Sequence, residues 1–302
     1  MSGTIGALDQ RYVELILDFL DGCVAERIAP FCDNKLLRDD VMKILENNSI
    51  VVYYPLDESE ISDGFLLRGL TLYGVPEVRD FVFINTAKDT EKQVFAAAHE
   101  LGHIWGLDSY FKENGLELDY DTEERVMNRF AAELMIPEKQ FLEYLQKHVR
   151  KTRNDSSMPR SNAGQWDFFH TVAELMNEFF VPDKAIIWRL FELNCIEQST
   201  AEFLINDLDK PDGSHIRAII RKSIHDAGYS KLLRPTNIKW INDLPDLLDR
   251  AERKGAIMES KLNVMRERFD ITQVTDAVEL RGIDLKFYET GVKTFDGKRK
   301  PI

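Results

Sequence analysis

The feature that most constrains this chain is a pair of histidines four residues apart, His99-Glu100-Leu101-Gly102-His103, within a run of helix-forming residues. Residues i and i+4 of an α-helix share one face, with Cβ atoms roughly 5–6 Å apart, so two imidazoles at this spacing can reach one metal ion. Glu100 sits about 100° round the helix from His99. It therefore flanks such an ion and can hold a water molecule beside it. Hydrolytic zinc sites use this arrangement. The plainer reading leaves His99 as a core histidine and His103 as a cation near the helix C-terminus.

The surroundings favour the metal-binding reading. Thr90-Glu91-Lys92-Gln93 has the form of a capping box, which would start the helix there. Ala96, Ala97, Ala98 and Gly102 are small, so neighbouring backbone can come close. Upstream, Ile50–Tyr54, Phe65–Tyr73 and Phe81–Asn85 read as strands separated by the turn signals Ser62-Asp63-Gly64 and Gly74-Val75-Pro76. They predict a small, twisted, mostly antiparallel sheet. Phe81–Asn85 is expected as an edge strand that lines the cleft and can pair with an extended peptide. Before the sheet, Val13, Ile16, Leu17, Leu20 and Val24 recur at helical spacing, predicting an amphipathic helix that ends near Pro30; Leu36–Leu45 is a second helical stretch.

A catalytic zinc takes three protein ligands and keeps one position open. The third should come from a separate element, and a helix expected to start near Asp121 or Thr122 and to stop at Pro137 offers one. Glu124 leads, placed in the first turn where the helix dipole favours a carboxylate. Glu123 is its main rival; Asp119 and Asp121 are further ones. Asn128, one turn beyond Glu124 on the same face, is positioned to orient a ligating histidine from behind.

Two motifs together resemble a known family. The run FINTAKDTEKQVFAAAHELGHIWGL, followed by Glu124-Arg-Val-Met-Asn128-Arg-Phe130-Ala131-Ala132-Glu-Leu134-Met-Ile-Pro137, is similar to the ImmA/IrrE family of zinc metallopeptidases. The similarity is good over about residues 8–145 and weaker as far as about 196. Met127 stands where the family usually has alanine, and Met135-Ile136 replaces Leu-Met. The resemblance implies an α+β, zincin-like fold with one zinc ion per chain held by His99, His103 and Glu124. It implies Glu100 as the catalytic acid/base and Asn128 as the support of a histidine, as in gluzincins. It further implies a regulatory endopeptidase whose substrate is a protein such as a helix-turn-helix transcriptional repressor. The competing expectation is a regulator or antitoxin-like partner that binds metal without catalysis. A two-histidine, one-carboxylate iron site uses the same ligand types but gives Glu100 no task. Tyr73, Tyr110 and His170 are the candidates for stabilising an oxyanion.

The rest of the chain sets the expected organisation. Residues 1–150 are read as the zincin-like domain, and 151–200 as a linker with a helical hairpin. Residues 201–302 are a helix-leaning region of unknown role, clearest over Leu244–Arg268. Helix continues over 138–149, and the polar, breaker-rich 150–166 reads as linker or surface loop. Helices around Phe180-Val181-Pro182-Asp183 have helix-turn-helix-like spacing, yet Glu174, Glu178, Asp183 and Glu192 outweigh Lys184 and Arg189 there. With a net charge of −13, direct nucleic-acid binding is not expected. No run of apolar residues is long enough for a membrane span, and the first residues lack a basic, then apolar, leader. Cys23, Cys32 and Cys195 show no paired spacing and read as reduced, core-filling thiols. A cytoplasmic protein is expected.

Overall fold

A computed structural model describes residues 8–31, 36–56, 63–67, 80–153, 163–210, 213–269 and 271. Its fold is α+β, rich in helix around one small sheet. Strands β1 (Ile50–Tyr54), β2 (Gly64–Leu67), β3 (Phe81–Asn85) and β4 (Trp240–Ile241) lie in the order β2-β3-β1-β4. β1 and β3 are parallel, with Ile50 opposite Phe81 and Tyr54 opposite Asn85, whereas β2 and β4 pair antiparallel with β3 and β1. The sheet is therefore mixed, with its parallel pair in the middle.

This order corrects the expectation for the cleft edge. β3 is internal, and among the described residues β2 is the edge strand beside the cleft. The reason is visible in the side chains: β3 buries Val82 and Ile84 on one face, and on the other Phe83 stacks on Phe65 at 4.9 Å. A strand apolar on both faces belongs inside a sheet. β2 leaves Phe65 and Leu67 exposed. Of the predicted strand Phe65–Tyr73, residues 68–73 lie outside the described residues.

Of helices α1 (Gln10–Cys23), α2 (Asp40–Asn48), α3 (Thr90–Ile104), α4 (Leu107–Glu113) and α5 (Tyr120–Met135), α2 and α3 pack on the sheet, α4 and α5 pack on α3, and α1 packs on α4 and α5. Val41, Ile44 and Leu45 of α2 join Val51, Val82, Ile84, Val94, Ala97, Ala98 and Leu101 in the core, all at 1% exposure or less. The apolar stripe of α1 is rotated from the one expected: Ile16, Leu20 and Cys23 are buried while Leu17 and Val24 are exposed. Aromatic packing explains the rotation, because Tyr12 stacks on Phe111 and Phe19 contacts both Tyr110 and Phe130. A π-helical turn, Val24–Ile28, continues α1 toward Pro30.

The capping box does not form. Asp89 is the N-cap of α3, without a side-chain cap bond. Thr90 donates its hydroxyl to the Arg234 carbonyl, and the Gln93 amide donates to the carbonyls of Thr86 and Lys88. Arg234, far along the chain, has taken the Thr90 hydroxyl, and carbonyls just upstream of the helix have taken the Gln93 amide.

Helices α6 (Glu138–Arg153), α7 (Ala163–Phe179), α8 (Asp183–Glu192), α9 (Gln198–Leu208) and α10 (His215–Asp226) follow, then β4, α11 (Leu244–Arg253) and α12 (Glu259–Arg268). The expected loop at 150–166 is thus helical at both ends, and 154–162 lie outside the described residues. Packing crosses the boundaries read at 150 and 200. Arg189 of α8, 1% exposed, donates to the Ile136 carbonyl and grips both oxygens of the Glu133 carboxylate on α5, at 2.7 and 2.6 Å. Farther along, Asn242 accepts from the Val51 amide and donates to the carbonyls of Glu46 and Ser49. Thr86 donates to the Ile238 carbonyl. Residues 232–242 are in this way laced to the sheet and to the start of α3. Cys23 is buried as expected; Cys195 is exposed and fills no core, and Cys32 lies outside the described residues. No helix among the described residues is long and apolar enough to cross a membrane.

Candidate metal centre

α3 presents His99 and His103 one turn apart, and α5 crosses it. The crossing is close because residue 102 lacks a side chain: a Cβ there would stand 2.7 Å from Met127 Sδ and 3.0 Å from Phe130 Cδ1. Side chains of α5, and not its backbone, occupy the space that Gly102 leaves. Met127 is fully buried in it.

This approach brings Glu124 to the histidines. Its Oε2 is 3.5 Å from His99 Nε2 and its Oε1 is 4.0 Å from His103 Nε2. Ligand atoms of His99, His103 and Glu124 all lie within 4.8 Å of one another, so the three could hold one metal ion. Tetrahedral zinc with bonds of about 2.0–2.1 Å spaces its ligand atoms by roughly 3.4 Å, and the donor set of two imidazoles and a carboxylate is one that zinc accepts. The residues fit the ion.

The other nitrogens of the two rings are also engaged. His99 Nδ1 is 3.1 Å from Asn128 Oδ1. An amide oxygen only accepts, so this contact puts the proton on Nδ1 and leaves the Nε2 lone pair toward Glu124. His103 Nδ1 is 3.3 Å from Glu123 Oε1. Glu123, the main rival for third ligand, therefore lies behind a histidine. Asp119 is the N-cap of α5, accepting from the Thr122 amide, and Asp121 stands in the helix's first turn. Because α5 starts at Tyr120, Glu124 falls just beyond that first turn, one residue later than expected.

Glu100 is 4% exposed and faces the cleft. Burial, helped by the Glu124 charge, pushes its carboxyl up to about 8. Burial also holds the His99 imidazole below its ordinary value, against the opposing pull of Glu124 and Asn128. A neutral imidazole is the form that ligates a metal.

The cleft, about 660 Å³, runs between β2, α3 and the start of α5. β2 supplies Gly64, Phe65 and Leu66 to its wall. Among the oxyanion candidates, Tyr110 packs against Phe19 and His170 lies beside Glu174, neither of them lining the cleft. Tyr73 is outside the described residues. Among the described residues the tyrosine that lines the cleft is Tyr120, overlooked in the sequence although its i, i+4 spacing to Glu124 places both on one face of α5. Lys92, too, lines the cleft and had attracted no notice there.

Residues 46–191 match the Peptidase_M78 family, the IrrE N-terminal-like domain. The match bears out the resemblance of the two helix motifs to the ImmA/IrrE family, and it extends through α8. No curated protein matches the chain at a significant level.

Proposed function

From a metallopeptidase-like domain and a donor set that fits a divalent ion, we propose that this chain is a zinc-dependent endopeptidase, in which His99, His103 and Glu124 hold the metal and Glu100 is the acid/base. The observation that carries the reading is the convergence of those three ligand atoms beside a buried Glu100. A zinc ion bound there supplies Lewis-acid polarisation of a peptide carbonyl and activation of water. Glu100 takes a proton from the attacking water and returns it to the leaving amine. Asn128 and Glu123 orient the two imidazoles through their Nδ1 atoms. β2, the outermost strand among the described residues and part of the cleft wall, is suited to pairing with an extended substrate backbone.

The substrate we propose is a specific protein, a helix-turn-helix repressor being the leading class, cleaved in the cytoplasm. No nucleic-acid contact enters the reading. Of the two cations of α8, Arg189 is buried against Glu133 and Lys184 is paired with Asp209.

Glu100→Gln tests the mechanism. The variant is expected to bind zinc in a one-to-one ratio, by metal analysis, and to lose repressor cleavage by at least about a hundredfold, since general acid–base catalysis is typically worth about 10²–10⁴. Undiminished cleavage would remove Glu100 from the mechanism. A wild-type chain that binds zinc and a repressor but cleaves neither it nor any peptide would favour a binding regulator.

A further inference from the structure

Lys92 has no task in the chemistry above, yet its position is specific. It lies on α3 seven residues before His99, hence on the same face and about 10 Å nearer the helix start. Phe95 and Ala96 occupy the turn between them, and all line the cleft. From its start toward the metal donors, the cleft face of α3 therefore offers an ammonium, then an aromatic ring and a methyl group, then the imidazoles. Phe65 and Leu66 of β2 also line this cleft.

Charge singles Lys92 out further. It is the one lysine or arginine among the described residues that line the cleft; the acidic side chains there are Asp63, Glu100, Glu123 and Glu124. Asp63 stands 3.7 Å from Lys88, Glu123 contacts His103, and Glu124 faces both imidazoles. The Lys92 ammonium makes no hydrogen bond or ion pair with the described residues. A lysine that only solubilises a helix belongs on its outer face. This one is on the face that an incoming chain would meet.

An extended peptide advances about 3.3 Å per residue, so about 10 Å is the reach of three residues. We propose that Lys92 is a specificity-determining residue that binds an acidic side chain of the substrate about three residues from the scissile bond, with an apolar side chain between them against Phe95 and Phe65. The proposal rests on the peptidase reading. It narrows the substrate to segments in which an apolar and then an acidic residue lie on one side of the cut.

The test is digestion of a proteome-derived peptide library by the full, zinc-loaded chain, read by mass spectrometry. Wild type, Lys92→Met and Lys92→Glu are compared, with zinc content and a thermal melt confirming that each variant is loaded and folded. Wild-type cuts are expected to be enriched in Asp or Glu at one position about three residues from the cleaved bond. Lys92→Met should flatten that preference and Lys92→Glu should turn it toward Lys and Arg. On matched peptides the acidic-to-neutral ratio of kcat/KM should fall about fivefold in Lys92→Met, the scale of a partly exposed ion pair. Wild-type cleavage without an acidic preference, a preference that survives in Lys92→Glu, or cuts confined to peptide C-termini would overturn the role of Lys92 and leave the peptidase reading intact. A zinc-loaded wild type that cuts no peptide would overturn the peptidase reading and this proposal with it.

Discussion

His103 Nδ1 stands 3.3 Å from Glu123 Oε1, while the Nε2 atom of the same ring stands 4.0 Å from Glu124 Oε1. Two adjacent acids on α5 thus address opposite nitrogens of one imidazole. Consecutive helix positions differ by about 100°, which lets Glu123 reach Nδ1 of His103 and Glu124 reach the Nε2 side that His103 shares with His99. The arrangement assigns them different weights.

Glu124→Ala is expected to abolish stoichiometric zinc retention. Glu123→Ala should keep the stoichiometry but weaken zinc affinity by about 10–100-fold, the usual cost of losing a partner behind a ligating histidine. Competition with a zinc chelator measures both. Equal losses in the two variants would mean that Glu123 also ligates.

Gly102 and Met127 form a second pair whose fates are linked. Gly102→Ala places a methyl group against Met127 and Phe130, an overpacking that costs about 1–3 kcal/mol and is offset in part by the roughly 1 kcal/mol gain of alanine over glycine in a helix. The single variant should be destabilised in urea unfolding and should bind zinc more weakly as α5 is pushed away. Met127→Ala, which restores the residue usual in the resembled family, should make Gly102→Ala tolerable. Two variants whose effects simply add would show that the contact is not the constraint.

The Arg189–Glu133 pair ties α8 to the helix that carries Glu124. Removing one partner of a buried pair typically costs about 3–5 kcal/mol, and Arg129, which also contacts Glu133, should soften the loss. Arg189→Met is therefore expected to lose about 3 kcal/mol, with Arg189→Met/Glu133→Gln recovering part of it. Denaturant unfolding of the three chains closes the cycle. A double variant less stable than the sum of its singles would contradict the pairing.

Glu91 makes stability depend on pH. It is 3% exposed, with Oε2 lacking a hydrogen-bond partner among the described residues. Burial first, and then the Asp89 charge, push its carboxyl from 4.5 up to about 8. Between those values the folded chain keeps a proton that the unfolded chain has released. This contribution to stability is thus intact below about 4.5 and declines as pH rises to about 8, by at most about 1.4 kcal/mol per pH unit. Glu91→Gln should raise the Tm at pH 8 relative to wild type and lose that advantage toward pH 5. A Tm difference that does not vary with pH would exclude the titration.

Local chemistry made part of this protein legible in its sequence. The i, i+4 histidines needed only a helix to share a face, and Glu124 and Asn128 needed only one more, because covalent geometry sets such spacings whatever the fold. The β3 run was also plain, since Phe81–Ile84 is apolar without interruption. Its place in the sheet was not, because pairing partners are distant in sequence and β2 against β1 is a choice made by packing. The apparent capping box misled because other acceptors win its side chains: the remote Arg234 carbonyl takes the Thr90 hydroxyl, and the nearby Thr86 and Lys88 carbonyls take the Gln93 amide.

By itself, then, the sequence determined the donor types, their spacing along two helices and the family to which those motifs are similar. Tertiary structure alone decided that Glu123 lies behind His103, that β2 borders the cleft, and that residues 232–242 return to the sheet. The division has one physical cause. Spacing within a helix is carried by the backbone, whereas the angle and distance at which α5 crosses α3 depend on side chains such as Met127 and Phe130 filling the space at Gly102.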